Sequence, residues 1–198
     1  MNDTALSVLE TYERNKCVVF LDTKGTYGGL SNMASGFPLR ANGIEIRTSE
    51  ALYQCCRYPH DPVTQQWVLD QKSPLWTKKV SGREDRTRRD WPEVRVQVMR
   101  WCLRVKLCQH LDNFGALLWM SGARPIVEES RKDEFWGTKA QEDGTLVGVN
   151  VLGKLLMELR EEYIACPASD RSRFKQVQPL DIRDFRLLGQ GIGTITAE

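Results

Sequence analysis

Histidine is nearly absent from this chain: His60 and His110 are the only two, and no CxxC pair occurs. A zinc site built from His and Cys is therefore not expected, nor any other metal or cofactor. No apolar run approaches the roughly 18 residues that a membrane helix needs, so no membrane association is expected. The opening MNDTALSVLETYERN lacks a basic stretch followed by an apolar one, which argues against a secretory leader and for a cytoplasmic protein. Disulfides are not expected either. Six cysteines are spread over 198 residues, Cys55 and Cys56 are adjacent, and Cys102 and Cys108 share one helical pattern, so buried, reduced thiols are the reading. The 41% hydrophobic content excludes wholesale disorder.

What is present is unevenly placed charge. The net is +2, but residues 72 to 109 hold 11 Lys/Arg against four Asp/Glu, or +7, which leaves −5 for the rest. Such a segment is either an ordinary solvated face or a surface for phosphate and nucleic acid. Arg83, Arg86 and Arg88 are its candidate contacts.

The length suits one domain. Residues 1 to 16 read as a polar lead-in helix, 17 to 163 as the body, and 164 to 198 as an extension that docks on the same domain. CVVFLD, 17 to 22, is short and β-branched, a strand. IEIRT, 44 to 48, follows the Asn42-Gly43 turn as another. Thr48 or Ser49 caps the helix SEALYQCCRY, which ends near Pro59. Asp61-Pro62 opens a helix through Leu69, and Ser73-Pro74 one through Lys79. Trp91-Pro92 opens the longest, to about Leu111, and residues 114 to 121 continue the helical pattern. Asn150 caps the last, with Val151, Leu152, Leu155, Leu156 and Leu159 on one stripe. Within the tail, VQPLDIRDFRLLG reads as a docking strand. The sum is a mainly helical α+β domain with a few short strands.

Five places carry chemical potential, each with a plainer reading beside it. GGLSNM, 28 to 33, is either a flexible turn or a phosphate cradle of backbone N–H groups with Ser31 and Asn32 as polar hands. Glu50, in the first turn of a helix, either complements the helix dipole or acts on a sugar. In IVEESRKDEFWG, 126 to 137, Glu128, Glu129, Asp133 and Glu134 are either solvated acids beside a core Trp136 or an acid pair next to a flat surface for a nucleobase. Asn150 is either a plain cap or the head of an anion-binding helix end. Lys106 falls between Cys102 and Met99 on the long helix, either snorkelling past the core edge or pointing into a pocket.

Taken together, LSNM, TSEALYQCCRY, DW, VMRWCLRVKLCQHL, IVEESRKDEFWG and NVLGKLLMELR, in this order and spacing, resemble the NADAR (YbiA-like) family of N-glycosidases, over about Phe20 to Glu162. The resemblance implies a compact, mainly helical YbiA-like domain that hydrolyses N-glycosidic bonds at ribose carbons without a cofactor. It implies catalytic roles for Glu50, Lys106, Glu128 and Asp133. It implies substrate contacts from Gly29, Ser31, Asn32, Tyr53, Arg57, Trp91, Trp136, Gly137 and Asn150. The riboflavin-associated type has Glu-His at the helix start and Lys-Phe later in it; here these are Glu50-Ala51 and Arg57-Tyr58. The wording EALYQCCRYP and RWCLRVKL is more similar to members paired with DarT-type toxins, which attach ADP-ribose to guanine in DNA. The implied substrate is then ADP-ribosylated DNA or guanosine and the implied role an antitoxin, with riboflavin-pathway intermediates or a silent binding module as the alternatives.

Overall fold

The computed structural model describes residues 8 to 71 and 84 to 197. The helix expected from Ser73 to Lys79, and Arg83, lie outside the described residues. The class is α+β, as the sequence implied. Among the described residues no helix is long and apolar enough to cross a membrane. All six cysteines are free thiols, and all but the half-buried Cys17 are buried. The chain divides into two units that alternate along the sequence.

The first unit comprises residues 8 to 31 and 112 to 168. Strand β1 (Glu10–Glu13) pairs antiparallel with β7 (Thr145–Gly148), whose other edge takes β6 (Lys139–Ala140). Strand β2 (Val18–Phe20) lies parallel to β5 (Ile126–Glu128). The described lead-in is therefore a strand followed by a single 3₁₀ turn, Arg14–Lys16, and not an α-helix. Pairing with β7 turns Tyr12 inward against Val127 and Leu146, and that burial outweighs a polar helical pattern. The helix expected at the end of the body forms as Val151–Ala165 and packs on β5, with Leu152, Leu155, Leu156 and Leu159 all buried.

The second unit comprises residues 32 to 71, 84 to 111 and 169 to 197. Asn42 (φ 50) and Gly43 (φ 77) both take left-handed backbone, so β3 (Leu39–Ala41) and β4 (Ile44–Ile46) close as a two-residue hairpin. Thr48 then caps α1 (Ser49–Cys56) by accepting the Ala51 N–H at 3.1 Å. Every residue of α1 is buried, between α2 (Pro62–Asp70) and α3 (Trp91–Gln109). The tail is not one strand. It forms two short hairpin-like pairs, β8 (Gln176–Val177) with β11 (Ile195–Thr196) and β9 (Arg186–Leu187) with β10 (Gln190–Gly191). Its backbone is held by buried side chains of the body: Trp101 Nε1 donates to Gln178 O at 2.8 Å, and Gln65 Nε2 to Arg186 O at 3.0 Å.

Candidate active site

The sequence-predicted residues fall into both units, and each set is built by its own local structure. In the second unit the site begins at the cap of α1. With Thr48 fixing the first turn, Glu50 is carried inward until only 3% of it is exposed. Asn32 meets it twice: the Glu50 N–H donates to Asn32 O at 2.9 Å, and Asn32 Nδ2 donates to Glu50 Oε2 at 2.6 Å. Gln54, one turn along α1, donates its Nε2 to Glu50 Oε1 at 2.8 Å. Both carboxylate oxygens thus accept from a neutral amide. Asn32 Oδ1 and Gln54 Oε1, on the far sides of those amides, have no hydrogen-bond partner among the described residues.

Helix α3 presents Arg95, Met99, Cys102 and Lys106 at spacings of four, three and four, an arc of about 60° at 100° per residue. Neighbours of this stripe come from α1 and the segment before it. Asn32 Nδ2 lies 4.0 Å from Met99 Sδ. Cys102 is in hydrogen-bond contact with Cys56, and burial pushes its thiol well up, with the nearby charge of Glu50 adding to the effect. Burial likewise pushes the Tyr53 phenol up; Glu50 adds to this, while Arg95 and Arg57 oppose it. Tyr53 packs against Trp91 with ring centroids 4.9 Å apart. Arg57 Nε donates to Thr87 Oγ1 at 2.8 Å.

Lys106, one of the four, is entirely buried, and burial alone pushes its ammonium down to about 7. Its Nζ sits 4.5 Å from the centre of the Phe37 ring, which meets His110 edge-on at 5.3 Å. The snorkelling alternative is thereby overturned, since a lysine with no exposed surface keeps no head in water. The chain from Asn32 to Phe37 therefore follows the stripe from the Glu50 end to the Lys106 end. Gln54 and Phe37 were missed in the sequence. The signal for Gln54 was its place four residues after Glu50 on one helix; nothing local marked Phe37.

The first unit holds Gly29, Ser31, Glu128, Asp133, Trp136, Gly137 and Asn150. Here much of the expected polar equipment holds the loop itself. Asp133 Oδ1 accepts the N–H groups of Phe135 (3.1 Å) and Trp136 (3.0 Å), closing a turn. Glu129 pairs with Arg14 and Glu134 with Lys139, each at 2.9 Å. Trp136 is half-buried, its ring edge-on to Phe135 at 5.2 Å. Gly137 lies so close to β5 that a Cβ there would stand 2.8 Å from Glu128 O and 3.3 Å from Glu128 Cγ, which places Glu128 against this loop. In the glycine loop, the N–H groups of Gly28, Leu30 and Ser31 bond to carbonyls of Gly25, Tyr27 and Gly28. They close a turn around the half-buried Gly29 and the buried Ser31.

Asn150 is neither a plain cap nor an anion hand. Its backbone is left-handed (φ 54), and its side chain bridges to β5, accepting from Glu128 N at 3.1 Å and donating to Ile126 O at 2.9 Å. The N–H groups of Val151 and Leu152 donate to Phe135 O and Trp136 O, both at 3.0 Å, so these helix-end donors serve the loop. Asn150→Ala is expected to cost roughly 2–4 kcal/mol, because two buried backbone groups lose partners at about 1–3 kcal/mol each. Urea denaturation at neutral pH measures it.

Within the basic segment, Arg88 does not lie on the surface expected of it. Arg88 is 6% exposed, bonds Asp90 through Nε (2.6 Å) and Nη2 (2.8 Å), and donates to Arg183 O at 2.7 Å. It fastens the tail and offers no surface to a polyanion. Arg86 is exposed and pairs with Asp61 at 2.8 Å.

A model of the NADAR domain matches residues 19–163. N-glycosidase YbiA of Escherichia coli (strain K12) is 33% identical over 144 residues, which cover 72% of this chain and 86% of that protein. Riboflavin biosynthesis protein VVA0006 of Vibrio vulnificus is 31% identical over 148 residues, 73% of this chain and 38% of that protein. The NMR structure of E. coli YbiA matches with a TM-score of 0.63 at 31% identity, covering 77% of this chain and 90% of that one.

Proposed function

This chain belongs to the NADAR domain family, and on that premise we propose that it is an N-glycosidase that removes ADP-ribose from guanine in DNA, as the antitoxin of a DarT-type toxin. The observation that carries the enzymatic part is the α1–α3 face of the second unit. It holds a buried carboxylate gripped by two amides, and, along the same helical stripe, a lysine whose ammonium is pushed down to about 7. The E. coli relative bears the name N-glycosidase. The DNA adduct is favoured by Glu50-Ala51 and Arg57-Tyr58 in place of the riboflavin-type residues, and by the +7 segment.

Two routes use these groups. In the first, water adds to C1″ through an oxocarbenium-like state as the C1″–N bond breaks; a carboxylic acid protonates the leaving nitrogen and a carboxylate takes the proton from water. Glu50, Glu128 and Asp133 are the candidate acids. In the second, the ribose opens to an imine, the neutral Lys106 amine adds to C1″ and expels the guanine amine, and water then releases ADP-ribose and the free lysine. Turnover of an ADP-ribosylated oligonucleotide, against none with a ribosylaminopyrimidine phosphate, is the expected result; the opposite pattern favours the metabolite reading that the name of the Vibrio relative suggests.

The DNA part has its own test. Reversing Arg83 and Arg86 to Glu is expected to weaken action on modified DNA and to reduce its salt dependence, by about 0.9 in log–log slope for each phosphate no longer neutralised. Action on ADP-ribosylguanosine is expected to be unchanged. Equal loss on both substrates would argue against a DNA surface here.

A further inference from the structure

The two amides that grip Glu50 each leave an acceptor unused. An amide can meet a carboxylate oxygen only through its N–H, so Asn32 and Gln54 turn their NH₂ groups toward Glu50 and their carbonyl oxygens away. Asn32 is 7% exposed and Gln54 5%, and neither Oδ1 nor Oε1 has a hydrogen-bond partner among the described residues. Turning either amide over would set its oxygen against a carboxylate oxygen, so the fold cannot relieve these two atoms by itself. Buried acceptors without donors are rare in native proteins because each forfeits its hydration. Two of them flanking one carboxylate call for a ligand that brings two donors.

We propose that Gln54 Oε1 and Asn32 Oδ1 read the 2″- and 3″-hydroxyls of the ribose whose C1″ reacts, making Gln54 a specificity-determining residue that distinguishes ribose from deoxyribose. This rests on the glycosidase reading of the same site. A cis-diol supplies two O–H donors on neighbouring carbons, next to the carbon at which Glu50 would act. A deoxy sugar leaves one acceptor buried and empty, which weakens its binding. DNA that carries ADP-ribose offers many deoxyriboses and one ribose at the reacting position, so such a reader would direct the enzyme to the adduct and away from the backbone sugar.

The test is a titration of the full chain with ADP-ribose and with its 2″-deoxy analogue, on the wild type and on Gln54→Met. The wild type is expected to bind ADP-ribose about tenfold to a hundredfold more tightly than the analogue. Gln54→Met, nearly isosteric but without an acceptor, is expected to bind ADP-ribose as weakly as the wild type binds the analogue and to show little preference between the two. Equal wild-type affinity for both ligands, full discrimination retained by a folded Gln54→Met, or no binding of any ribose phosphate overturns the proposal. If the wild type ignores ADP-ribose yet prefers ribose 5-phosphate over 2-deoxyribose 5-phosphate, and Gln54→Met abolishes that preference, the sugar reader stands and the ADP-ribose reading fails.

Discussion

Glu50→Gln is expected to lower kcat by about 10² to 10⁴ while leaving the melting temperature close to that of the wild type. Buried acids are seldom replaced so gently, and the reason lies in the neighbouring amides. A glutamine at position 50 turns one NH₂ toward a group that now donates to it. Asn32 Oδ1 and Gln54 Oε1 have no hydrogen-bond partner among the described residues, so either amide can rotate by half a turn and accept where it formerly donated. Both amide contacts to position 50 are kept and the negative charge is lost; the rotated amide also gives up the oxygen assigned above to the ribose, so KM is expected to rise as kcat falls. Glu50→Ala has no such escape: it strands two amide donors that now reach the carboxylate at 2.6 and 2.8 Å and is expected to lose roughly 2–4 kcal/mol of stability besides activity. Measuring both variants by circular dichroism and by turnover separates the charge from the scaffold. Near wild-type kcat in folded Glu50→Gln would remove the carboxylate from the chemistry.

How much of this was legible in the sequence depends on how local its cause is. The Asn42-Gly43 turn, the helix cap at Thr48 or Ser49 and the Asp61-Pro62 helix start are settled within four residues; the turn and the helix start stand where the pattern put them, and the structure chooses Thr48 as the cap. The helical stripes were equally open to a periodicity argument, and the same angles placed Lys106 between Met99 and Cys102. What did not show was anything fixed by distant partners. β1 is a strand because β7, more than 130 residues on, pairs with it. Gln65 is fully buried because Leu188 N and Arg186 O come back to it across more than 120 residues. Arg88 looks like a surface cation in a basic run, and only the return of the Arg183 carbonyl shows otherwise. Asn150 and Asp133 carry a similar lesson at shorter range. Each is a polar residue of a type that binds ligands, and each turns its side chain to a neighbouring backbone that would otherwise lack a partner.

Lys106→Met is expected to make the protein more stable at about pH 6 and to have lost that advantage by about pH 10.5. The wild-type ammonium ionises at about 7 in the folded chain against 10.5 for an ordinary lysine, and burial is the cause. Below pH 7 both folded and unfolded chains hold the proton, and the full cost of burying a charge weighs on the folded state. Between 7 and 10.5 the unfolded chain binds more protons, so wild-type stability rises with pH, by at most about 1.4 kcal/mol per unit. Above that range the amine is neutral in both states and the cost is gone. A residue that destabilises its own fold at neutral pH invites a functional explanation, and a neutral amine poised near pH 7 is what imine formation at C1″ requires. Turnover is accordingly expected to fall by at least about 10²-fold in Lys106→Met and in Lys106→Arg, which keeps the charge but cannot form an imine. Borohydride added during wild-type turnover is expected to leave an ADP-ribose adduct on the Lys106 peptide, detected by mass spectrometry. Full activity in Lys106→Arg together with no trapped adduct would end the covalent route and leave the carboxylates to act alone. A pH-independent stability difference between wild type and Lys106→Met would mean that the folded chain does not depress this lysine at all.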